Sequence, residues 1–201
     1  ASPLRHLRAV VTSFYSLVLL CVIWEAAARA GLVREAFLPP LSVVLEQLVK
    51  LIADGSLVAP TLVSLGRAAI GIVLAAIAGG AIGFLSARSA IVHVLVAPLL
   101  SLGQPLPKVV LIPIFILWLG VYSGSKVALV FITCVFPIAI SVEAAAASVP
   151  RVFQWSARSL GASELDVVRS ILLPASMSGL MSGLRVALPL ALLSTFTAEV
   201  I

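Results

Sequence analysis

The chain has 201 residues, of which 62% are hydrophobic and 10% are charged, and its mean hydropathy is +1.23. Soluble domains carry about 25% charged residues, so this composition excludes an ordinary soluble domain. The formal net charge of +5 comes from scattered Lys and Arg, without the basic, aromatic-rich patch of a nucleic-acid-binding protein. The apolar runs have helical length, which excludes an outer-membrane barrel. The composition therefore predicts an all-α, polytopic membrane protein with about five spans.

The N-terminal segment, residues 1–30, is predicted to form the first transmembrane helix. Arg5, His6 and Arg8 precede an apolar run from about Ala9 to Ala28. A signal peptide is the alternative, since Ala28-Arg29-Ala30 has the small-residue form of a cleavage site. The length of the run and the membrane segments that follow it favour a span.

Residues 31–60 are predicted to form an extracytoplasmic loop with one amphipathic helix. The prolines in Phe37–Pro40 break the chain, and Ser42 is expected to cap a helix over Val43–Ala53. This helix is expected to lie on the outer membrane surface and to end at Asp54-Gly55.

Residues 61–201 contain the remaining spans, and the first of them, Thr61–Ala87, is rich in glycine. Gly79 and Gly83 are four residues apart, a spacing that lets two helices approach closely. The last span, Met177–Ile201, carries a second such pair. The predicted helix-packing residues are Gly79, Gly83, Gly179 and Gly183.

The segment Ile91–Leu119 is too interrupted by prolines to form one straight helix. Irregular backbone at membrane depth is tolerated where it is buried in protein or lines a cavity, so this segment is the candidate translocation pathway. Lys108 has two interpretations, a functional charge inside the membrane or a side chain brought to the interface. The candidate pathway residues are Gln104, Pro105, Pro107, Lys108 and Pro113.

A short turn at Gly120–Ser125 leads into a span over Lys126–Ala147, which is expected to be kinked near Pro137.

Arg67 is expected to snorkel or to hold a neighbouring helix through a carboxylate. Glu25 is expected to pair with Arg29 one helical turn on. The two cysteines have no metal-ligand spacing, so no metal site is predicted.

The segment at about 150–175 is polar and lies between two apolar runs, which indicates a loop outside the membrane. Gly161 is expected to form a turn between two short helices, and Ser163 to cap the second helix with Glu164 in its first turn. Pro174 is expected to end the segment before the last span. The predicted apolar face of the second helix is Leu165, Val168, Ile171 and Leu172.

The distribution of basic residues indicates the orientation of the chain. An N-terminus in the cytoplasm leaves six arginines on the cytoplasmic side against four basic residues outside, and positive charge is enriched on the cytoplasmic side. The Gly161 segment is then cytoplasmic. The six arginines are Arg5, Arg8, Arg88, Arg151, Arg158 and Arg169.

In this segment, Gly161 is followed by nine residues, then by Ile171, and then by Leu173-Pro174. The spacing resembles the "EAA" loop of ABC importer membrane subunits, E-A-A-x3-G-x9-I-x-L-P. Trp155 and Ser156 stand where that pattern has its acid and first alanine. The resemblance extends over roughly residues 37–201 to permeases of the nitrate, sulfonate and taurine type. The further matching segments are Phe37-Leu-Pro-Pro-Leu-Ser42, Ser64-Leu-Gly-Arg67, Pro105-Leu-Pro, Trp118-Leu-Gly120, Gly183-Leu-Arg185 and Ala198-Glu199.

The resemblance implies the type I ABC importer transmembrane fold in the cytoplasmic membrane of a prokaryote. It implies two copies of this subunit, or one with a paralogous permease, two cytoplasmic ATPase subunits and an extracytoplasmic binding protein. The chain would bind no cofactor and catalyse no reaction, because the partner ATPase uses ATP and Mg²⁺. Family members carry one further span, which here either follows Ile201 or is lacking. The residues expected to couple to the ATPase are Ala157, Leu160, Gly161, Ala162, Ser163, Glu164, Ile171, Leu173 and Pro174.

Two other function classes are alternatives. An ion-coupled secondary transporter would use Lys108, Glu143 and Glu199 as relay groups. An intramembrane enzyme would need a nucleophile beside a base, and the sequence shows His6 and His93 only as isolated residues. The sequence does not identify the substrate, since the family that the chain resembles transports small oxyanions, sulfonates and heterocyclic nutrients.

Overall fold

The computed structural model describes residues 3–200, with side chains from Tyr15 onwards. Within this range the chain forms helices joined by short turns, with no strand. The side chains of the basic flank, Arg5, His6 and Arg8, lie outside the described residues. The chain divides into two compact units, Ala1–Thr61 and Leu62–Ile201. The domain boundaries predicted from the sequence stay predictions.

The first unit contains helices α1, Pro3–Arg29, and α2, Leu41–Ala53. The indole nitrogen of Trp24 donates a hydrogen bond to the carbonyl of Pro39, 3.0 Å away. Part of α1 lies outside the described side chains, so its role as a membrane span stays a prediction. Helix α2 ends at Asp54, followed by Gly55 at φ +71°, as predicted.

Ser42 does not cap α2, which corrects the prediction. The N-cap position is Pro40, and no side chain caps the helix there. The hydroxyl and backbone NH of Ser42 instead donate to the carboxylate of Glu25 at 2.8 and 3.1 Å. The predicted pair of Glu25 with Arg29 is confirmed at 2.6 Å. The Glu25 carboxylate thus accepts one of the free NH groups in the first turn of α2, the kind of group that a capping side chain would otherwise accept.

The second unit contains most of a long helix, α3, Val58–Arg88, and all the helices that follow. Three helical segments of the described chain are long and apolar enough to cross a membrane, namely Val58–Arg88, Ser123–Ala147 and Glu164–Val200. The later helices are α4 (Ala90–Gly103), a 3₁₀ turn (Lys108–Leu111), α5 (Ile112–Leu119), α6 (Ser123–Ala147), α7 (Arg151–Ser159), α8 (Glu164–Val167), a π turn (Val168–Leu172) and α9 (Leu173–Val200).

The predicted break between residues 91 and 119 is confirmed. Helix α4 and the segment Lys108–Leu119 are bent by 99° relative to each other. Together they form either one broken span, in which case the described residues contain four candidate spans, or a re-entrant loop. Helix α4 ends at Gly103, and Pro105 and Pro107, which cannot donate backbone hydrogen bonds, interrupt the chain before the 3₁₀ turn begins at Lys108.

Helix α6 forms the centre of the second unit, between α3 and α9. Its residues Val130, Cys134 and Ile138 are completely buried. An added Cβ on Gly79 of α3 would lie 2.8 Å from the carbonyl oxygen of Val135, and one on Gly183 of α9 would lie 2.8 Å from Cα of Ile138. The helix backbones are therefore too close for any larger residue at these positions. Gly83 and Gly179 make similar close contacts with α6.

Pro174 does not separate the loop from the last span, which is a second correction. The helical path runs from Glu164 to Val200 without a break and includes the π turn Val168–Leu172. In this wide turn the NH of Leu173 bonds to the carbonyl of Val168, five residues earlier. A π turn is a common way to accommodate an irregularity without ending a helix.

Candidate functional site

The candidate site is the loop formed by α7, the turn at Gly161 and α8. Helix α7 ends in a pair of hydrogen bonds typical of a Schellman motif. The NH of Gly161 bonds to the carbonyl of Arg158, and the NH of Ala162 bonds to that of Ala157, both at 3.0 Å. Gly161 has φ +89°, a conformation that L-residues with a Cβ rarely adopt. Glycine is therefore required by the turn itself.

A capping box begins α8 directly after this turn. The predicted N-cap, Ser163, is confirmed, and its hydroxyl accepts a hydrogen bond from the NH of Asp166. The Asp166 carboxylate accepts hydrogen bonds from the Ser163 hydroxyl at 2.6 Å and from its NH at 2.9 Å. These bonds hold the pKa of Asp166 below its usual value. Asp166 was not predicted to have this role, although S-x-x-D has the spacing of a capping box.

Glu164, the first residue of α8, connects the loop to the end of α3. One carboxylate oxygen lies 2.7 Å from a guanidinium nitrogen of Arg158 on α7. The other lies 3.8 Å from a guanidinium nitrogen of Arg88, the last residue of α3. Since all three side chains are partly exposed, these ion pairs contribute little stability individually. They connect α7, α8 and the end of α3 through one carboxylate.

The loop presents apolar side chains that the described chain does not cover. Leu160, at the tip of the turn, is 87% exposed, and Ala157 and Ala162 on either side of it are half-buried. Large exposed apolar groups that cluster in this way mark a partner or membrane surface. The other exposed apolar side chains of the loop are Val152, Phe153, Trp155 and Leu165.

The apolar face predicted for the second helix is wrong in part. Leu165 is 54% exposed, whereas Val167, which the prediction left out, is 1% exposed. Leu172 is buried, and Val168 and Ile171 are half-buried, as expected. The prediction assumed a regular helix, and the π turn changes the direction in which successive side chains point. Leu173 and Pro174, two of the predicted coupling residues, are exposed.

The candidate pathway residues lie around the 99° bend. Lys108 is half-buried, donates a hydrogen bond to the carbonyl of Gln104, and lies 5.2 Å from the centre of the Phe136 ring. The bend thus holds the ammonium group against its own chain and an aromatic face. The remaining candidate pathway residues, Gln104, Pro105, Pro107 and Pro113, are exposed.

Two polar clusters lie at opposite ends of the second unit. At one end, Glu199 of α9 accepts hydrogen bonds from Ser64 and forms an ion pair of 3.0 Å with Arg67. Arg67 also donates to the hydroxyl of Ser123 at the start of α6. Arg67 therefore holds a neighbouring helix through a carboxylate, which was one of its two interpretations.

At the other end, Nδ1 of His93 lies 2.6 Å from the carboxylate of Glu143, which also accepts a hydrogen bond from Ser86. The prediction that His93 is isolated is wrong. The cluster lacks the geometry of a hydrolase triad, because Ser86 and Glu143 approach the same imidazole nitrogen. Glu143 and Glu199 each have a basic partner and lie at opposite ends, so they do not form a continuous relay. Among the described residues, no group of three His, Cys, Asp or Glu side chains could hold a metal ion.

Comparison with known proteins identifies the family. The family model for the binding-protein-dependent transport system inner membrane component matches residues 71–201. The taurine transport system permease protein of Escherichia coli is 30% identical over 199 residues, covering 96% of this chain and 72% of the relative. The formylaminopyrimidine transport permease protein of Halalkalibacterium halodurans is 27% identical over 195 residues, covering 97% and 77%. The nitrate import permease protein of Leptolyngbya laminosa is 30% identical over 138 residues, covering 69% and 50%. With its apolar helices and its glycine turn, the chain belongs to the family of binding-protein-dependent transport system inner membrane components, the permease subunits of ABC transporters.

Proposed function

We propose that this chain is the membrane-spanning subunit of an ATP-driven importer and that it works as a homodimer or with a paralogous permease. Two cytoplasmic ABC ATPase subunits bind and hydrolyse ATP with Mg²⁺, and an extracytoplasmic binding protein delivers the substrate. The chain itself acts as a conduit and holds no nucleotide. Two observations support this proposal: the chain belongs to this family, and its relatives are transport permeases.

The observation that carries the proposal is the exposed turn at Gly161. Leu160 protrudes from a loop whose shape is fixed on both sides, by the Schellman motif and by the capping box of Ser163. A protruding apolar tip on a defined backbone suits insertion into a groove on another protein. We therefore propose that residues 157–164 form the contact with the ATPase, on the cytoplasmic side of the membrane.

The contacts of the loop supply a route for mechanical coupling. Glu164 links α8 to Arg88 at the end of α3, and α8 continues through the π turn into α9. A displacement of the loop is therefore applied to the ends of two long helices, which pack on α6 through glycine contacts. Close-packed helices move as rigid bodies more readily than they deform. ATP-driven movement of the loop would thus tilt these helices and open the pathway.

We propose that the bend around Gln104–Pro113 lines the translocation pathway. Its backbone leaves regular helix at Gln104, and most of its candidate residues are exposed on the isolated chain. Exposed irregular backbone in a membrane protein needs a neighbouring subunit or a water-filled cavity. A second permease subunit facing this bend satisfies that requirement.

The substrate proposed here is a small polar solute. The relatives named above are permeases for taurine, formylaminopyrimidine and nitrate, which share small size and polarity but differ in charge. Lys108 is held by Gln104 and Phe136, so its charge alone does not select an anion among these classes.

Co-purification of the cognate ATPase with Gly161→Glu and with a matched control tests the coupling assignment. The control is Gly55→Glu, because Gly55 also has positive φ, +71°, and open space around its Cβ position. Both substitutions cost about 1–2 kcal/mol in backbone strain, but only Gly161→Glu places a charge at the proposed contact. We expect the ATPase to be lost from Gly161→Glu alone, at equal membrane yield. Full retention of the ATPase by Gly161→Glu would contradict the assignment.

A further inference from the structure

A cavity lies beneath the α7–α8 loop, between the loop and the ends of the long helices. Its volume is about 390 Å³. Arg88 of α3 and two arginines of α7, Arg151 and Arg158, line it together with the carboxylate of Glu164. Three guanidinium groups thus face one carboxylate, which leaves the cavity with an excess of two positive charges.

The internal ion pairs of the loop do not account for this charge. Arg88 and Arg158 share the two oxygens of Glu164, while Arg151 has no ion-pair partner among the side chains that the structure describes. The charge of Arg151 does not stabilise its own helix either, because Arg151 is the first residue of α7. A positive charge at a helix N-terminus is opposed by the helix macrodipole, which favours an anion there.

The shape and lining of the cavity suit an oxyanion. Gln154, one turn after Arg151 on α7, supplies an uncharged amide donor beside the guanidinium groups. Guanidinium groups bind phosphate oxygens through paired, charge-assisted hydrogen bonds. The volume accommodates a phosphate group with room for an attached glycerol, and Leu172 and Phe84 give one wall an apolar surface.

We propose that this cavity binds a phosphate-type oxyanion, coordinated by Arg88, Arg151 and Arg158. The headgroup of an anionic phospholipid and free inorganic phosphate offer the same chemistry. The cavity is lined by Arg88 and Ala147, the last residues of α3 and α6, which is the level at which a lipid phosphate meets the ends of membrane spans. Basic pockets between transmembrane helices are known to bind lipid headgroups in this way.

Ligand titration of the purified full chain in uncharged detergent tests the proposal. Phosphatidylglycerol, phosphatidylcholine and sodium phosphate are each added, and binding is followed by native mass spectrometry and by thermal stabilisation. The test variant is Arg151→Gln. The matched control is Arg169→Gln, which removes the same charge from an exposed residue of the π turn that follows the loop and that does not line the cavity. Neither arginine forms an ion pair among the described side chains, so both variants should fold.

We expect saturable binding that Arg151→Gln weakens about tenfold, since one charge-assisted contact is lost, and that Arg169→Gln leaves unchanged. Binding of phosphatidylglycerol without binding of phosphate identifies a headgroup site, and binding of phosphate alone identifies a site for a free oxyanion. The proposal is overturned if neither phosphatidylglycerol nor phosphate binds, if both variants weaken binding equally, or if phosphatidylcholine binds as well as phosphatidylglycerol. Because no ATPase is present, these results do not depend on the coupling assignment.

Discussion

Single residues in the loop act mainly by completing backbone hydrogen bonds at helix ends. Gly161 closes the end of α7 because only a residue without a Cβ adopts its conformation easily. Ser163 and Asp166 satisfy the first amides of α8. The loop is therefore defined by local interactions, although its outer face is exposed.

The pKa of Asp166 makes the start of α8 sensitive to acid. Because hydrogen bonds from Ser163 lower this pKa in the folded state, the carboxylate stabilises the loop fully above the ordinary value of 3.8. This stabilisation is lost as the pH falls through the lower, native pKa. We expect amide hydrogen exchange at residues 163–167, corrected for intrinsic rates, to show more protection at about pH 5.5 than at about pH 2.5.

The variant Asp166→Asn serves as the control for this effect. It cannot ionise, so its protection at residues 163–167 should be lower than that of the wild type at the higher pH and nearly independent of pH. An equal loss of protection in the variant and the wild type would show that another group titrates.

The sequence was sufficient to predict the roles of residues whose partners are close to them in the chain. Gly161, Ser163 and the pair of Glu25 with Arg29 each depend on a partner within five residues, so propensity rules apply to them. The partners of Arg67 and His93 lie 132 and 50 residues away in the chain. A single sequence does not contain that information, because it is the packing of α3, α4, α6 and α9 that brings these charges together.

At the level of helices, the second unit is organised by close contacts of α3 and α9 with α6. The glycine spacing in the sequence predicted that helices would approach closely, but not which helix they would meet. The continuation of α8 into α9 was missed because proline was expected to end a helix, and a π turn allows the helical path to continue through Pro174.

Two alanine substitutions on α3 measure the importance of these contacts. An added Cβ at Gly83 would overlap the carbonyl oxygen of Ala139 on α6, whereas nothing lies within 4 Å of one at Gly66. We expect Gly83→Ala to lower the free energy of unfolding in detergent by about 1–3 kcal/mol, because α6 would have to shift. Gly66→Ala should be neutral or stabilise by up to about 1 kcal/mol. Equal effects of the two substitutions would argue against the close packing of α3 on α6.

At the level of the whole second unit, a polar cluster at each end connects different helices. The Arg67–Glu199 pair joins α3 to α9 and reaches α6 through Ser123, at the end opposite the loop. The His93–Glu143 pair joins α4 to α6 near the loop. Such ties hold the helix ends together, as the proposed movement of the loop would require.

The variant Glu199→Gln tests the contribution of the Arg67 pair to stability. The two side chains are 22% and 23% exposed, so removing the carboxylate leaves a partly buried guanidinium without its counter-charge. We expect a loss of roughly 1–3 kcal/mol, less than for a fully buried pair because solvent screens the charges. The control is Glu46→Gln in the exposed Glu46–Lys50 pair, with 66% and 62% exposure, which should show no measurable change. Thermal unfolding in detergent compares them, and equal shifts would contradict the expected difference.

Site-specific photocrosslinking tests whether the Gly161 loop contacts the ATPase, as we propose. A photoreactive phenylalanine analogue replaces Leu160 in the membrane-embedded complex, and a control places it at Leu32, which is 77% exposed in the first unit. We expect a crosslink from position 160 to the ATPase subunit, with a yield that changes on addition of ATP, and none from position 32. Crosslinking of position 160 only to lipid, in complexes that retain the ATPase, would contradict it.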